Sequence, residues 1–305
     1  MRRSRLCLEL GPYHKRLMTN TDDLFRSLFD DAAIFPPGNK PLDQAVSDHV
    51  RLSEGKLAPF VGPFVISYTQ LAGLAKTAMG ETVIPLPLSV TVSHPRMLGE
   101  LLDTLAAVDL LGQLRSLEIV IPDSVEIDST LGHISRTMDN GLPRHLDVYL
   151  EVPRNDRRRT VLAAVGHSDF RAKFRTGGTV PSLYPSEEEL ADSILSAVRM
   201  GIPFKATAGL HHAIRNRDPF TGFEQHGFLN VIMAIDACLG GATVQQVAAV
   251  LGDRDDAFLA KRALTLPVEQ VRSVRNYFRS FGTCSIVEPV ADLMSLGLLG
   301  SAGTG

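Results

Sequence analysis

The chain has 305 residues, 44% of them apolar and 21% charged, enough to bury one large core. Its 31 Lys and Arg against 34 Asp and Glu leave a net charge of −3, so no basic excess supports a nucleic-acid or anionic-membrane partner. The three cysteines, Cys7, Cys238 and Cys284, are far apart and odd in number, which excludes a disulfide framework or zinc signature and fits a reducing, cytoplasmic setting.

At the N-terminus Arg2, Arg3 and Arg5 are basic, but Glu9, His14, Lys15 and Arg16 interrupt any apolar run of signal-peptide length. No stretch approaches the roughly 18 apolar residues of a membrane span. Residues 1–17 are expected to be a disordered extension ahead of Met18, and 300–305 a disordered tail. A single domain is expected over 18–299.

From there, short β-branched runs alternate with helical patterns, the signature of a parallel sheet with crossover helices. The expected strands are Ala32–Phe35, closed by Pro36-Pro37-Gly38, then Phe64–Tyr68, Leu88–Val92, Leu117–Ile121, Leu146–Glu151, Phe170–Arg175, Phe204–Ala208 and Gly282–Ile286. Helices are expected near 41–54, 69–78 and 95–110, and over Glu288–Leu298. Ser186, with Glu189 three residues on, reads as the N-cap of a capping box opening another. Eight strand–helix units fit a closed (β/α)8 barrel, which typically needs about 250 residues. An open doubly wound sheet is the alternative, but no Gly-x-Gly-x-x-Gly follows an early strand. Segment 210–281 is a helical insertion between the seventh and eighth strands, expected as Gly222–Leu239, Thr243–Leu251, Asp256–Leu264 and Val268–Phe281. It is either an elaborated crossover or a cap over the barrel mouth.

In such barrels reactive groups sit at the C-terminal ends of strands. Alternate strand residues share a face, so Arg171, Lys173 and Arg175 point one way and Phe170, Ala172 and Phe174 the other. Lys205 and Thr207 likewise oppose Phe204 and Ala206. The aromatic faces should pack under helices, which turns both lysines inward. Two neighbouring ammonium groups lower each other's pKa, and a neutral amine can attack a carbonyl. Glu118 and Glu151 are candidate proton handlers, or simply the buried ion-pair partners of the lysines. Arg175 is an anion clamp or a partner of Glu151. Thr176, Gly177, Gly178, Thr207, Gly209, Thr283 and Ser285 could present N–H and hydroxyl groups to a phosphate.

These strings resemble a known family. Lys173-x-x-Thr176-Gly177, Lys205-Ala-Thr-Ala-Gly209 and Gly282-Thr-Cys-Ser285 are similar to strands six, seven and eight of deoxyribose-phosphate aldolase, a class I aldolase. Glu118-Ile-Val-Ile and Leu150-Glu151 resemble its fourth and fifth strand ends. The resemblance implies a Schiff-base role for Lys173, a tuning role for Lys205 and a proton relay at Glu118. It also implies Gly178, Gly209 and Ser285 near a substrate phosphate. The chain departs from the family at Arg175, where the family has a small residue, at Glu118, where it has aspartate, and in the larger 210–281 segment. The strings Phe29-Asp-Asp-Ala-Ala-Ile-Phe-Pro-Pro37 and Phe204-Lys-Ala-Thr-Ala-Gly-Leu-His-His212 also resemble an uncharacterised bacterial family, a kinship that implies no activity.

The sequence therefore leads to an aldolase-like lyase forming a lysine Schiff base with a small, phosphorylated or unphosphorylated carbonyl compound. That chemistry needs no cofactor, and a homo-oligomer is compatible with it. Two alternatives differ in class. His211, His212 and His226, with Glu151 or Asp31, could hold a divalent metal for hydrolysis, although no His-x-His or His-Glu-x-x-His spacing occurs. A barrel that binds a small anion without turning it over is the other. Asp30-Asp31 reads as a helix end or a site carboxylate, and Cys284 as a small buried residue.

Overall fold

The computed structural model describes residues 20–78, 86–139, 141 and 146–299. The proposed terminal extensions, 1–17 and 300–305, lie outside the described residues. Among the described residues ten strands occur in chain order: β1 Phe29–Asp31, β2 Val61–Ser67, β3 Leu88–Val92, β4 Leu114–Val120 and β5 Asp147–Glu151, then β6 Arg171–Arg175, β7 Phe204–Thr207, β8 Asn216–Arg217, β9 Glu224–Gln225 and β10 Phe278–Thr283. Eight of them close a parallel barrel in the order β1-β10-β7-β6-β5-β4-β3-β2, and β8 and β9 form a separate antiparallel hairpin. The (β/α)8 fold expected from the alternating pattern is the fold observed.

Helices wrap the outside, and their boundaries follow local chemistry. The helix Glu187–Arg199 starts where Ser186 Oγ accepts the Glu189 N–H at 3.2 Å. The reciprocal half of the expected capping box gives way to a stronger partner, because the Glu189 carboxylate takes Arg154 at 2.7 and 2.8 Å. A complete capping box instead opens Val244–Gly252, between Thr243 and Gln246. Among the described residues no helix is long and apolar enough to cross a membrane.

A band of aromatic rings ties strands to helices. Phe174 meets Phe204 at 5.0 Å, Phe204 meets Phe278 at 5.6 Å, and Phe281 and Phe29 both pack on Phe228 of the helix Phe228–Leu239. Strict alternation would send Phe278 and Phe281 to opposite faces. A register shift between them allows both rings to stack at 6.2 Å on the outer side. Each such fully buried ring stabilises the fold by roughly 1.5–3 kcal/mol.

Two strands lie earlier than expected. The apolar run Ala32–Phe35 is not the first strand: it turns, with the Phe35 N–H donating to Ala32 O at 2.9 Å ahead of the two prolines, and Phe29–Asp31 pairs instead. The last strand is Phe278–Thr283, so the preceding helix stops at Tyr277. Within 210–281, the stretch 222–227 is not helical. Asp218 Oδ1 accepts the N–H groups of Phe220 and Thr221 at 3.0 and 2.6 Å, and this turn pairs β8 with β9. The helices Phe228–Leu239, Val244–Gly252, Asp256–Thr265 and Val268–Tyr277 then form an elaborated crossover, the first of them packed on the barrel's outer side through Phe228.

Candidate active site

Barrel interiors are usually filled with branched apolar side chains. Here buried Asp30, Ser89, Ser116, Glu118, Lys173, Lys205 and Ser280 come from six barrel strands and form a polar interior. Above them, at the C-terminal ends of the strands, opens a cavity of about 320 Å³. Its walls include Phe35, Val92, Val120 and Leu183, with Glu118, Glu151, Lys173 and Arg175 as the charged groups.

Glu118 is the hub. Its Oε2 lies 2.9 Å from Lys173 Nζ, and its Oε1 accepts from Lys205 Nζ at 2.6 Å and from Ser89 Oγ at 2.7 Å. Ser116 supports Ser89 at 2.7 Å. Lys205 donates a second bond to Asp30 Oδ2 at 2.5 Å, and Ser280 donates to the same oxygen at 2.7 Å. Lys173 also stands 3.1 Å from Glu151 Oε2, while Arg175 Nε donates to Glu151 Oε1 at 2.9 Å. Three cations therefore face three carboxylates. The two lysines are not equivalent: Lys173 borders the cavity, whereas Lys205, 1% exposed, is sealed beneath it.

Electrostatics reverse one expectation. Adjacent lysines were expected to lower each other's pKa, but both amines are held above the ordinary lysine value. Burial pulls Lys173 down, and Glu118 and Glu151 together outweigh it. Burial likewise opposes the charge of Lys205, and Asp30 and Glu118 outweigh that. Glu118 is pushed up by burial but held far below the carboxylate range by both ammonium groups. Glu151 is also depressed, its burial outweighed by Lys173 and Arg175. In the resting site both lysines are ammonium ions.

The remaining candidates divide by position. Arg175, Gly178, Thr207 and Gly209 border the cavity. Thr176 is buried, and its hydroxyl is committed to the Ala208 and Thr207 carbonyls. Gly177 lies against Gly209, where a Cβ on Gly177 would come within 2.7 Å of the Gly209 Cα. Thr283 Oγ1 donates to Ser285 O at 3.0 Å, and Ser285 Oγ accepts the Glu288 N–H at 3.3 Å, shaping the turn into the last helix. Both hydroxyls bond backbone groups, and neither residue is among those bordering the cavity.

The histidines do not converge, which removes the basis of the metal alternative. His226 is fully buried, with Nε2 2.9 Å from Pro185 O and Nδ1 3.2 Å from Arg215. Burial lowers its pKa to about 4, so it is a neutral imidazole with both nitrogens occupied. His212 pairs with Asp292 at 3.1 Å, and Asp31 with His49 at 3.0 Å. No group of three metal-ligating side chains occurs among the described residues. His211 does reach the cavity, with Nδ1 3.6 Å from Cys284 Sγ. Burial pushes the Cys284 thiol up to about 11 and His211 down, so the contact joins neutral groups.

Asp30 and the serines were the less legible part of the site. Asp30 stands in an acidic pair before an apolar run that looks like the strand, and Ser89 and Ser280 carry no motif. Polar residues alternating with apolar ones, as Ser89 and Thr91 do in Leu88–Val92, were the available signal.

No protein-family model matches the chain, and no curated protein matches it in sequence. Among solved structures it is similar to a tetrameric deoxyribose phosphate aldolase from Aeropyrum pernix, with TM-score 0.50 and 15% identity over 90% of this chain and 93% of that one. It is also similar to a D-psicose 3-epimerase solved with D-fructose, with TM-score 0.36 and 10% identity over 82% of this chain and 99% of that one. A monomeric dihydrodipicolinate synthase variant matches with TM-score 0.38 and 11% identity over 92% and 99%. The likeness to the aldolase is one of fold: this chain is a closed α/β barrel of the same architecture.

Proposed function

We propose that the chain is an aldolase-like lyase in which Lys173 forms a Schiff base with a small carbonyl compound. The observation that supports this most is the asymmetry of the lysines, with Lys173 on the cavity and Lys205 sealed below it. Lys173 must first lose its proton to solvent through the cavity, because Glu118 and Glu151 are both held ionised. After that loss Lys205 keeps Asp30, and Arg175 keeps Glu151.

The freed Nζ lone pair adds to the carbonyl carbon, and the carbinolamine loses its oxygen as water to give an iminium. Loss of a proton, or cleavage of a C–C bond, beside the iminium carbon then leaves its electron pair in an enamine. Glu118 and Glu151 are the groups within reach to move those protons. Arg175, about one-third exposed on the cavity wall, is the cation available to an anionic substituent such as a phosphate or carboxylate.

Enamine formation in D2O exchanges the hydrogens next to the carbonyl. Proton NMR with acetaldehyde, acetone, pyruvate and dihydroxyacetone phosphate should show exchange with at least one, abolished in Lys173→Met. Equal exchange in both proteins rules the mechanism out.

A second reading is a barrel that binds a small anion without turnover. It is favoured by the complete pairing of both lysines, since buried ion pairs shift pKa values without catalysing anything. It leaves every carbonyl compound unexchanged and makes Arg175→Gln lose affinity for the anion.

A further inference from the structure

A second cavity, of about 490 Å³, lies at the opposite end of the barrel, among the N-terminal ends of β1, β2, β4, β5 and β10. Its charged lining is unbalanced. The carboxylates there are already taken, Asp23 by Arg26 at 3.1 Å, Asp30 by Lys205 at 2.5 Å and Asp147 by Arg171 at 2.5 Å. Arg115, Arg272, Arg275 and Arg279 remain, and none has a carboxylate within ion-pair distance among the described residues.

Arg275 is held in place and left wanting. Its Nη2 donates to the Arg26 and Arg279 carbonyls at 2.9 and 2.8 Å, while its Nη1 is buried with no acceptor. Burial, with the Arg279 charge beside it, pulls this guanidinium down to about 10. This end of a barrel ordinarily serves stability. Four guanidinium groups without a carboxylate partner repel one another around this hollow, and although Arg115 Nη1 donates to the Gly112 and Leu114 carbonyls, the buried Arg275 Nη1 is an unmet donor. A bound anion would reverse both terms.

We propose that this floor cavity is a binding site for a small, multiply charged phosphate-class anion, separate from the carbonyl site at the other end. Guanidinium forks match tetrahedral oxyanions in geometry as well as charge. The hollow suits a small molecule rather than a polymer. The net charge of −3 also gives no extended basic surface for a nucleic acid.

Titration calorimetry at low salt with inorganic pyrophosphate and with glycerol 3-phosphate tests the site. Arg272→Gln/Arg279→Gln removes two guanidinium groups that make no ion pair, and Arg175→Gln removes the cation of the upper cavity. Arg275 is left intact because it bonds two backbone carbonyls. The expected pattern is binding to the wild type, weakened at least tenfold in the floor variant and changed less than threefold in Arg175→Gln. Tighter binding of pyrophosphate than of the ester marks an inorganic ligand, and the reverse order an organic phosphate. No binding to the wild type, or any other pattern across the variants, overturns the proposal.

Discussion

Lys173 and Lys205 are register partners on adjacent strands, and each takes a different oxygen of the same carboxylate, that of Glu118. The sharing is uneven. Lys205 carries two short, enclosed bonds, to Asp30 and Glu118, whereas Lys173 lies between two carboxylates that each keep another cation. Removing Lys205 leaves Asp30 with no cation within ion-pair distance. Removing Lys173 strands nothing.

Lys205→Met is therefore expected to cost about 3–5 kcal/mol, the usual penalty for an uncompensated buried charge. Lys173→Met should cost clearly less. Urea denaturation of both variants measures the difference, and a larger loss for Lys173→Met would contradict the pairing scheme.

The raised pKa of Lys173 fixes a pH dependence. Its amine is charged at neutral pH, so the fraction able to attack a carbonyl grows tenfold per pH unit until the folded-state pKa is passed. The rate of adduct formation should still be rising between pH 8 and 10. A plateau reached by pH 7 would show that the amine is not held in its charged form.

His226 sets an acid limit on stability. Its folded-state pKa, about 4, lies below the ordinary 6.5, so the unfolded chain binds the extra proton first. Its stabilisation is complete above pH 6.5 and is lost as pH falls toward 4, a change of ~3 kcal/mol. Urea midpoints measured across that window should fall for the wild type and fall less for His226→Gln. Parallel curves for the two proteins would assign the acid sensitivity elsewhere.

Gly209 occupies the left-handed region with φ +74°, and a Cβ there would meet Thr176 O at 2.7 Å and Gly177 Cα at 2.8 Å. Ala208 before it also has positive φ, at 61°. Gly209→Ala should destabilise the fold by about 1–3 kcal/mol and push apart the ends of β6 and β7. Thermal denaturation checks the first effect and adduct yield the second. Wild-type values for both would mean that the close approach is unimportant.

Much of the fold was legible because the chain alternates strand and helix signals and because Phe170–Arg175 and Phe204–Ala208 alternate apolar with basic or polar side chains. That alternation also placed Lys173, Lys205, Glu118 and Glu151 in one interior. The charge of Lys173 follows from the ion-pair alternative, through Glu118 and Glu151, but that of Lys205 was less legible. It depends also on Asp30, which reaches Lys205 from 175 residues earlier and sits in a strand disguised by the more apolar Ala32–Phe35 beside it. Phosphate-cradle expectations at Thr176, Thr283 and Ser285 met a similar limit, since sequence shows a hydroxyl but not the backbone group that claims it.

The most direct measurement is borohydride reduction in the presence of small aldehydes and keto acids, followed by intact and peptide mass spectrometry. A reduced adduct on the peptide carrying Lys173, absent in Lys173→Leu, is the expected result. An adduct on Lys205 instead, or none with any carbonyl compound across pH 7 to 10, would contradict Lys173 as the reacting amine.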